Sequence, residues 1–168
     1  MAFTVEDGTG VADANAYAAI AYVDTYHSDR GNTDWTGVDA VKQAAIIKAT
    51  DYIDRRFVFK GVKEFTTNDL AFPRTYLYDR GGNLVEGIPA KLAMAVAEYA
   101  RIALSQELFQ NPVIDETGLR RIALREKVGP IETETKYAET NQIQILKPYP
   151  VADRLLSEFI LDAGRAIR

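Results

Sequence analysis

Apolar residues recur at helical spacing in four stretches of the chain. Between Asp13 and Asp29, Ala16, Ala19, Ile20, Val23 and Tyr26 share one face, and Asp13 or Asn15 precedes them as an N-cap. From Asp39 to Phe57, Ile46, Ala49, Thr50, Ile53 and Phe57 line one side while Lys48, Asp51 and Arg55 line another. Pro89 stands at a first helical position, and the pattern predicts a third helix to about Leu108 whose polar stripe is only Lys91, Glu98, Arg101 and Ser105. A helix that apolar is surrounded by protein, either as the centre of a bundle or as the seam of an oligomer. Pro150 opens the last helix, with Val151, Leu155, Leu156, Phe159 and Ile160 as its apolar face and a tail expected to fray beyond Gly164.

The period changes in two places. Phe59 to Gly87 is rich in glycine and aromatics and reads as a long ordered connection, extended at Phe72-Pro73 and turning at Arg80-Gly81-Gly82-Asn83. From 125 to 137 the period is two: Ile131, Thr133, Thr135 and Tyr137 alternate with Glu132, Glu134 and Lys136. Ile122, Leu124, Glu126 and Val128 share the opposite parity, so the register flips at Gly129-Pro130, as a bulge or tight turn would make it do. A further short strand is expected at 143–146. The fold class predicted is mainly α, a small bundle of about four helices, with an extended β arm or hairpin near 119–137. Residues 1–168 form a single domain in this reading, and the extended segment 119–146 is inserted before the C-terminal helix.

A strand must pair its backbone groups. The arm's two halves and the 143–146 segment are its candidate partners within the chain, and a ribbon of that size is marginal without support. Docking on another chain is therefore preferred to a hairpin lying on its own bundle, with Lys127, Val128, Gly129, Pro130, Ile131, Glu132, Thr133 and Tyr137 as the partner-binding residues.

Composition narrows the function. The chain has 168 residues, 47% hydrophobic and 26% charged, which suits an ordinary folded domain. No stretch has the roughly 18 uninterrupted apolar residues of a membrane span, and the start lacks the pattern of a secretory signal. There is no cysteine and one histidine, His27, which removes thiolate chemistry and polyhistidine metal sites. No catalytic, metal or cofactor-binding residues are expected, and no enzymatic activity. The net charge of -4 lowers the expectation of a protein built mainly to grip nucleic acid, while leaving room for a local basic patch.

Bland readings compete with sharp ones. Arg120, Arg121, Arg125 and Lys127 form a possible DNA-contacting patch, but a solvated strand face pairing with Glu126, Glu132 or Glu134 is preferred. Phe72 and Arg74 could stack a base and bind a phosphate, but such a Phe more often anchors a loop to the core. His27 reads as a packed ring or a helix-end charge. Asp51 and Asp54 beside Arg55 and Arg56 read as surface pairs and a network, and Trp35 with nine tyrosines suits interfaces as well as bases.

The blocks "VEDGTGVADANAY", "ATDYIDRRFVFKG", "LAFPRT", "IPAKLAMAVAEYA" and "REKVGPIE" resemble a family of tailed-phage virion proteins encoded among head and neck genes and labelled DnaT-like single-stranded DNA-binding proteins. The similarity is colinear from residue 3 to about 137. Two functions follow from it. The neck setting implies a structural head-completion adaptor: a dodecameric ring in the virion, assembled in the host cytoplasm, docked beneath the portal protein and receiving the tail or a tail-terminator protein. DNA then passes through its lumen without specific binding, and no membrane is involved. The label implies instead single-stranded DNA binding, with Phe72, Arg74, Arg120, Arg121 and Arg125 as the contacts. The adaptor is the main expectation and DNA binding the alternative.

Overall fold

The computed structural model describes residues 2–109, 121–127, 132–137 and 146–161. The fold is mainly α with a small β element. In order come α1 (Ile20–Asp29), α2 (Asp39–Arg56), β1 (Val62–Lys63), β2 (Arg74–Thr75), α3 (Ala90–Ala103), β3 (Arg121–Lys127), β4 (Glu132–Tyr137) and α4 (Pro150–Leu156). The chain divides into two compact units, one of Met1–Leu108 with Pro148–Ile167, the other of Phe109–Lys147 with Arg168. Among the described residues no helix is long and apolar enough to cross a membrane.

In the first unit α3 is the central helix, packed against α1, α2 and α4. The narrow polar stripe is the reason: Leu92, Ala95, Val96, Ala97, Tyr99 and Ala100 are all buried, against Ile46, Ile53 and Tyr52 of α2 and Leu156 of α4 in one core. Helix α1 is shorter than its spacing predicts. Asp13 has φ +60°, which a helix excludes, and Asn15 is occupied by the amino-terminal segment, accepting from the Thr4 N–H at 3.0 Å and donating to the Ala2 carbonyl at 2.7 Å. Ala16 is bridged to Val5, and Ala14, Ala16, Tyr17 and Ala18 are buried without helix, whereas Ala19 is exposed. Helix α4 likewise stops at Leu156, and Ile160 bridges back to Phe59.

The long connection is ordered by the β1–β2 ladder, in which Val62 pairs with Thr75 and Lys63 with Arg74. Gly61 makes that approach possible: it has φ +71°, and a Cβ there would lie 2.4 Å from the Thr75 carbonyl oxygen. Asp54 of α2 holds the far side of the loop. Tyr17 donates to both of its oxygens at 2.7 Å, and the Ala71 N–H donates at 2.9 Å.

Burial pushes the Asp54 carboxyl up to about 6, against the partial opposition of those two donors. A carboxyl raised in the fold from its ordinary value near 3.9 favours the folded state in its protonated form. That contribution, about 3 kcal/mol, is fully present below about pH 4 and is lost as pH rises through about 6. Asp54→Asn keeps the shape and removes the titration. Urea unfolding of both proteins should show the wild type losing about 3 kcal/mol relative to the variant between pH 4 and pH 7. A flat difference across that range would refute the assignment.

In the second unit β3 and β4 form an antiparallel hairpin. The register sets Leu124 opposite Thr135, Arg125 opposite Glu134, Glu126 opposite Thr133 and Lys127 opposite Glu132, with an irregularity between Arg121 and Ala123. The arm's two halves therefore ladder with each other. The backbone partner sought in a neighbouring chain is supplied here by the same chain. Val128, Gly129, Pro130 and Ile131 lie outside the described residues, as does the expected strand at 143–146 apart from Leu146, which is not in a strand.

Candidate functional site

The first unit holds a cleft of about 390 Å³ where four separate elements meet. Tyr26 comes from α1, Lys91 from the first turn of α3, Val151, Arg154 and Leu155 from α4, and Arg80 from the turn between β2 and α3. That turn is built locally. The Asp79 carboxylate accepts from the Asn83 N–H at 2.9 Å, the Gly82 N–H donates to the Asp79 carbonyl at 3.1 Å, and Tyr78 bridges Leu84. Hydrogen bonds from the Asn83 side chain and then its N–H lower the pKa of the Asp79 carboxyl. Arg80 is thereby carried to a loop tip, and its guanidinium reaches Ser157 Oγ at 3.0 Å.

Among the described residues, three cations line the cleft against one carboxylate, that of Glu158, which Lys91 meets at 2.7 Å. The local sign is opposite to that of the whole chain. Arg154 is exposed, so its guanidinium is available to solvent or to a ligand. An aromatic wall adjoins the cations. Tyr26 donates to Glu98 Oε1 at 2.9 Å, and Arg30 lies 3.6 Å over its ring centroid. Tyr22, 38% exposed, stacks beside it with centroids 6.5 Å apart and 27° between planes. Burial, helped by the Glu98 carboxylate, pushes the Tyr26 hydroxyl up to about 12, so it stays a donor at all working pH values. Guanidinium groups suit phosphate oxygens and an accessible ring suits a base, the two requirements of single-strand binding.

A second concavity, about 560 Å³, is lined by Glu64, Glu86, Arg74, Tyr76, Tyr78 and Leu84, among others. Tyr76 is 72% exposed and sits at φ +55°, a strained conformation for a bulky residue. Its two carboxylates oppose a phosphate chain, and its one arginine is engaged elsewhere.

That arginine is one of the residues singled out from sequence. The Arg74 guanidinium donates to the carbonyls of Lys60 at 2.7 Å, Ala71 at 3.0 Å, Gly61 at 3.0 Å and Phe59 at 3.3 Å. Phe72 is wholly buried, edge-on to Tyr17 and Phe59, and its bond to Pro73 is cis. Neither presents itself to a nucleotide, and the stacking and phosphate roles considered for this pair are corrected to structural ones. Arg121 and Arg125 lie on β3, in register with Tyr137 and Glu134 of β4. Arg120 lies outside the described residues.

Of the remaining candidates, His27 and Trp35 are packed into the core, and the charged ones form ion pairs. The buried His27 ring accepts from Asn32 Nδ2 at 3.0 Å and so donates through Nε2 to the Ala97 carbonyl at 3.0 Å; burial lowers its pKa, and it is a neutral packed ring. Trp35 donates to Asp24 at 2.6 Å and is buried. Asp51 and Arg55 form an exposed pair at 3.6 Å, whereas Arg56 reaches Asp153 at 2.8 Å. The cleft residues Arg80, Lys91, Arg154 and Glu158 carried no local signal that would join them, because the fold brings them together from distant parts of the sequence.

A family model described as "Putative DnaT-like ssDNA binding protein" matches residues 1–168. No curated protein and no solved structure matches the chain. The family match points to single-stranded DNA, and it overturns the main expectation from sequence. The virion adaptor, its dodecameric ring, the portal and tail partners and a lumen that DNA crosses without binding are withdrawn; the alternative is the reading the match supports. By a match over its full length, the chain belongs to the DnaT-like single-stranded DNA-binding family.

Proposed function

We propose that this protein binds single-stranded DNA, with the cleft between α1, α3 and α4 as the contact surface. The observation that carries the site is the local reversal of charge, with Arg80, Lys91 and the exposed Arg154 lining one cleft together with Tyr26 in a chain of net charge -4. The two guanidinium groups hold successive phosphates, and the half-exposed Tyr22 ring offers a face to a base. The volume lies within the roughly 300–1,000 Å³ of ligand sites and suits about one nucleotide, the rest of the strand running over the surface.

Two phosphate contacts predict a modest salt dependence. For single strands the slope of log K against log salt is about -0.7 per phosphate, hence about -1.4 here, a weakening of about sevenfold between 50 and 200 mM salt. Fluorescence anisotropy with a labelled mixed-sequence oligonucleotide of about ten nucleotides measures this directly. Arg80→Ala and Arg154→Ala should each flatten the slope by about 0.7, and the double variant should be nearly salt-independent. Both side chains are exposed, so folding is spared. Unchanged binding by the double variant would remove the cleft from the proposal, and absence of binding by the wild type at low salt would remove the function.

A further inference from the structure

The carboxylate in the cleft is out of place for a surface that only holds phosphates. Glu158 is 7% exposed, lies just beyond the end of α4 and lines the same cavity as Arg80 and Arg154. A carboxylate in that position repels a phosphate chain unless it has a task there. Its Oε1 meets Lys91 Nζ at 2.7 Å, and the Lys91 side chain is itself 52% exposed. Neither group is used up by the contact. An ammonium has three protons and a carboxylate about four acceptor positions, so each keeps capacity toward the cavity.

The pair thus offers a donor immediately beside an acceptor, both carried on anchored backbone. Lys91 is set by the first turn of α3, and the backbone of Glu158 is held by Lys60, whose Nζ donates to the Glu158 carbonyl at 2.8 Å. The four bases differ in how they meet such an edge. Guanine presents an acceptor, O6, followed by two adjacent donors, N1–H and the N2 amine. An ammonium facing O6 and a carboxylate facing the two donors complement that whole row. Cytosine and adenine supply one amine donor beside one ring acceptor and match the pair singly. Thymine has no exocyclic amine, and its single N–H lies between two carbonyl oxygens, one of which must face the carboxylate. A site that hydrogen-bonds one edge rejects the base that leaves its buried polar groups unpaired.

We infer that the Lys91–Glu158 pair reads the base held in the cleft and selects guanine over thymine. The inference rests on the single-stranded DNA reading of the same cleft and deepens it from strand binding to base preference. Arg80 and Arg154 supply affinity that ignores sequence, and the pair supplies the difference between bases.

The test compares an oligothymidylate of about ten nucleotides with the same oligomer carrying one central guanine, which avoids folded guanine-rich structures. Anisotropy titrations at a single low salt concentration should give at least about tenfold tighter binding of the guanine oligomer by the wild type. Glu158→Gln keeps the shape, replaces one acceptor with a donor, and should bring the two affinities within about twofold of each other while binding of the oligothymidylate persists. The thermal midpoint of Glu158→Gln, read by circular dichroism, establishes that the variant is folded at the titration temperature. Because that side chain is nearly buried, Lys91→Met serves as a second variant and should also erase the preference. Wild-type binding that is equal for the two oligomers would overturn the inference and leave strand binding standing. A guanine preference that survives in both folded variants would also overturn it. No binding to either oligomer would overturn strand binding itself.

Discussion

Asp153→Ala should destabilise the protein by about 3 kcal/mol, towards the lower end of the cost of removing one partner from a buried ion pair since this pair is largely but not fully buried, and lower its thermal midpoint by about 10 °C. Asp153 sits where three demands converge. Its Oδ2 receives Arg56 at 2.8 Å and the Tyr149 N–H at 3.0 Å, and its Oδ1 receives the Tyr99 hydroxyl. Arg56 is only 12% exposed, so removing the carboxylate leaves a guanidinium largely cut off from water. Tyr99 belongs to a cluster of three rings with Tyr52 and Tyr149, whose centroids lie 5.0–6.0 Å apart, and its hydroxyl loses its acceptor. Burial, then the Asp153 carboxylate, raises the Tyr99 hydroxyl far beyond its ordinary range, so it cannot compensate by ionising.

The Tyr149 bond carries the effect to function. Tyr149 is the N-cap of α4, and Asp153 is the side chain that satisfies its N–H. Losing it loosens the helix that presents Val151, Arg154 and Leu155 to the cleft. Urea unfolding gives the stability change, and a midpoint shift under about 2 °C would mean that the buried network contributes little. Asp153→Asn is the informative companion, since it removes the charge opposite Arg56 and leaves one amide oxygen that can accept either from Tyr99 or from Arg56 and the Tyr149 N–H, but not from both sides.

What the sequence revealed follows from how local each feature is. Helix α2 and the near-continuous apolarity of α3 could be read because propensity, pattern and burial agree within single segments. The amino-terminal stretch misled for the opposite reason. Ala16 and Ala19 have helical spacing to Val23, but Asn15 and Asp13 take up side-chain and left-handed conformations that only the pairing with Val5 explains. The β1–β2 ladder is two residues long and depends on Gly61 and on an arginine, neither of which has a strand signature. The hairpin's period of two was visible, but a period does not name its partner strand, and the partner proved to be the arm's own second half. The cleft was the least visible feature. Each of its charged residues, taken singly in sequence, looks like a solvated surface charge, and only packing of α4 on α3 turns Arg154, Lys91 and Glu158 into one site.

Arg74→Ala should cost about 2–4 kcal/mol and leave DNA affinity unchanged in the protein that remains folded. Burial works against the charge of this side chain and pulls its pKa down, so a guanidinium is tolerated here only because four carbonyls receive it. Three of those carbonyls, from Phe59, Lys60 and Gly61, lie on one chain segment and the fourth, from Ala71, on another; one planar fork therefore ties the two sides of the loop together. Truncation removes the donor these carbonyls share and frees the loop that Asp54 holds at Ala71. Arg74→Lys should recover less than half of the loss, because one ammonium cannot reach four acceptors spread around a planar group. The measurement pairs two readouts: thermal unfolding, and oligonucleotide anisotropy at a temperature where the variant is folded. A side chain that contacted phosphate would show reduced affinity and a salt slope flatter by about 0.7 with little change in stability. The structural role requires the reverse, and an affinity loss of tenfold in the folded variant would return Arg74 to the DNA-binding surface.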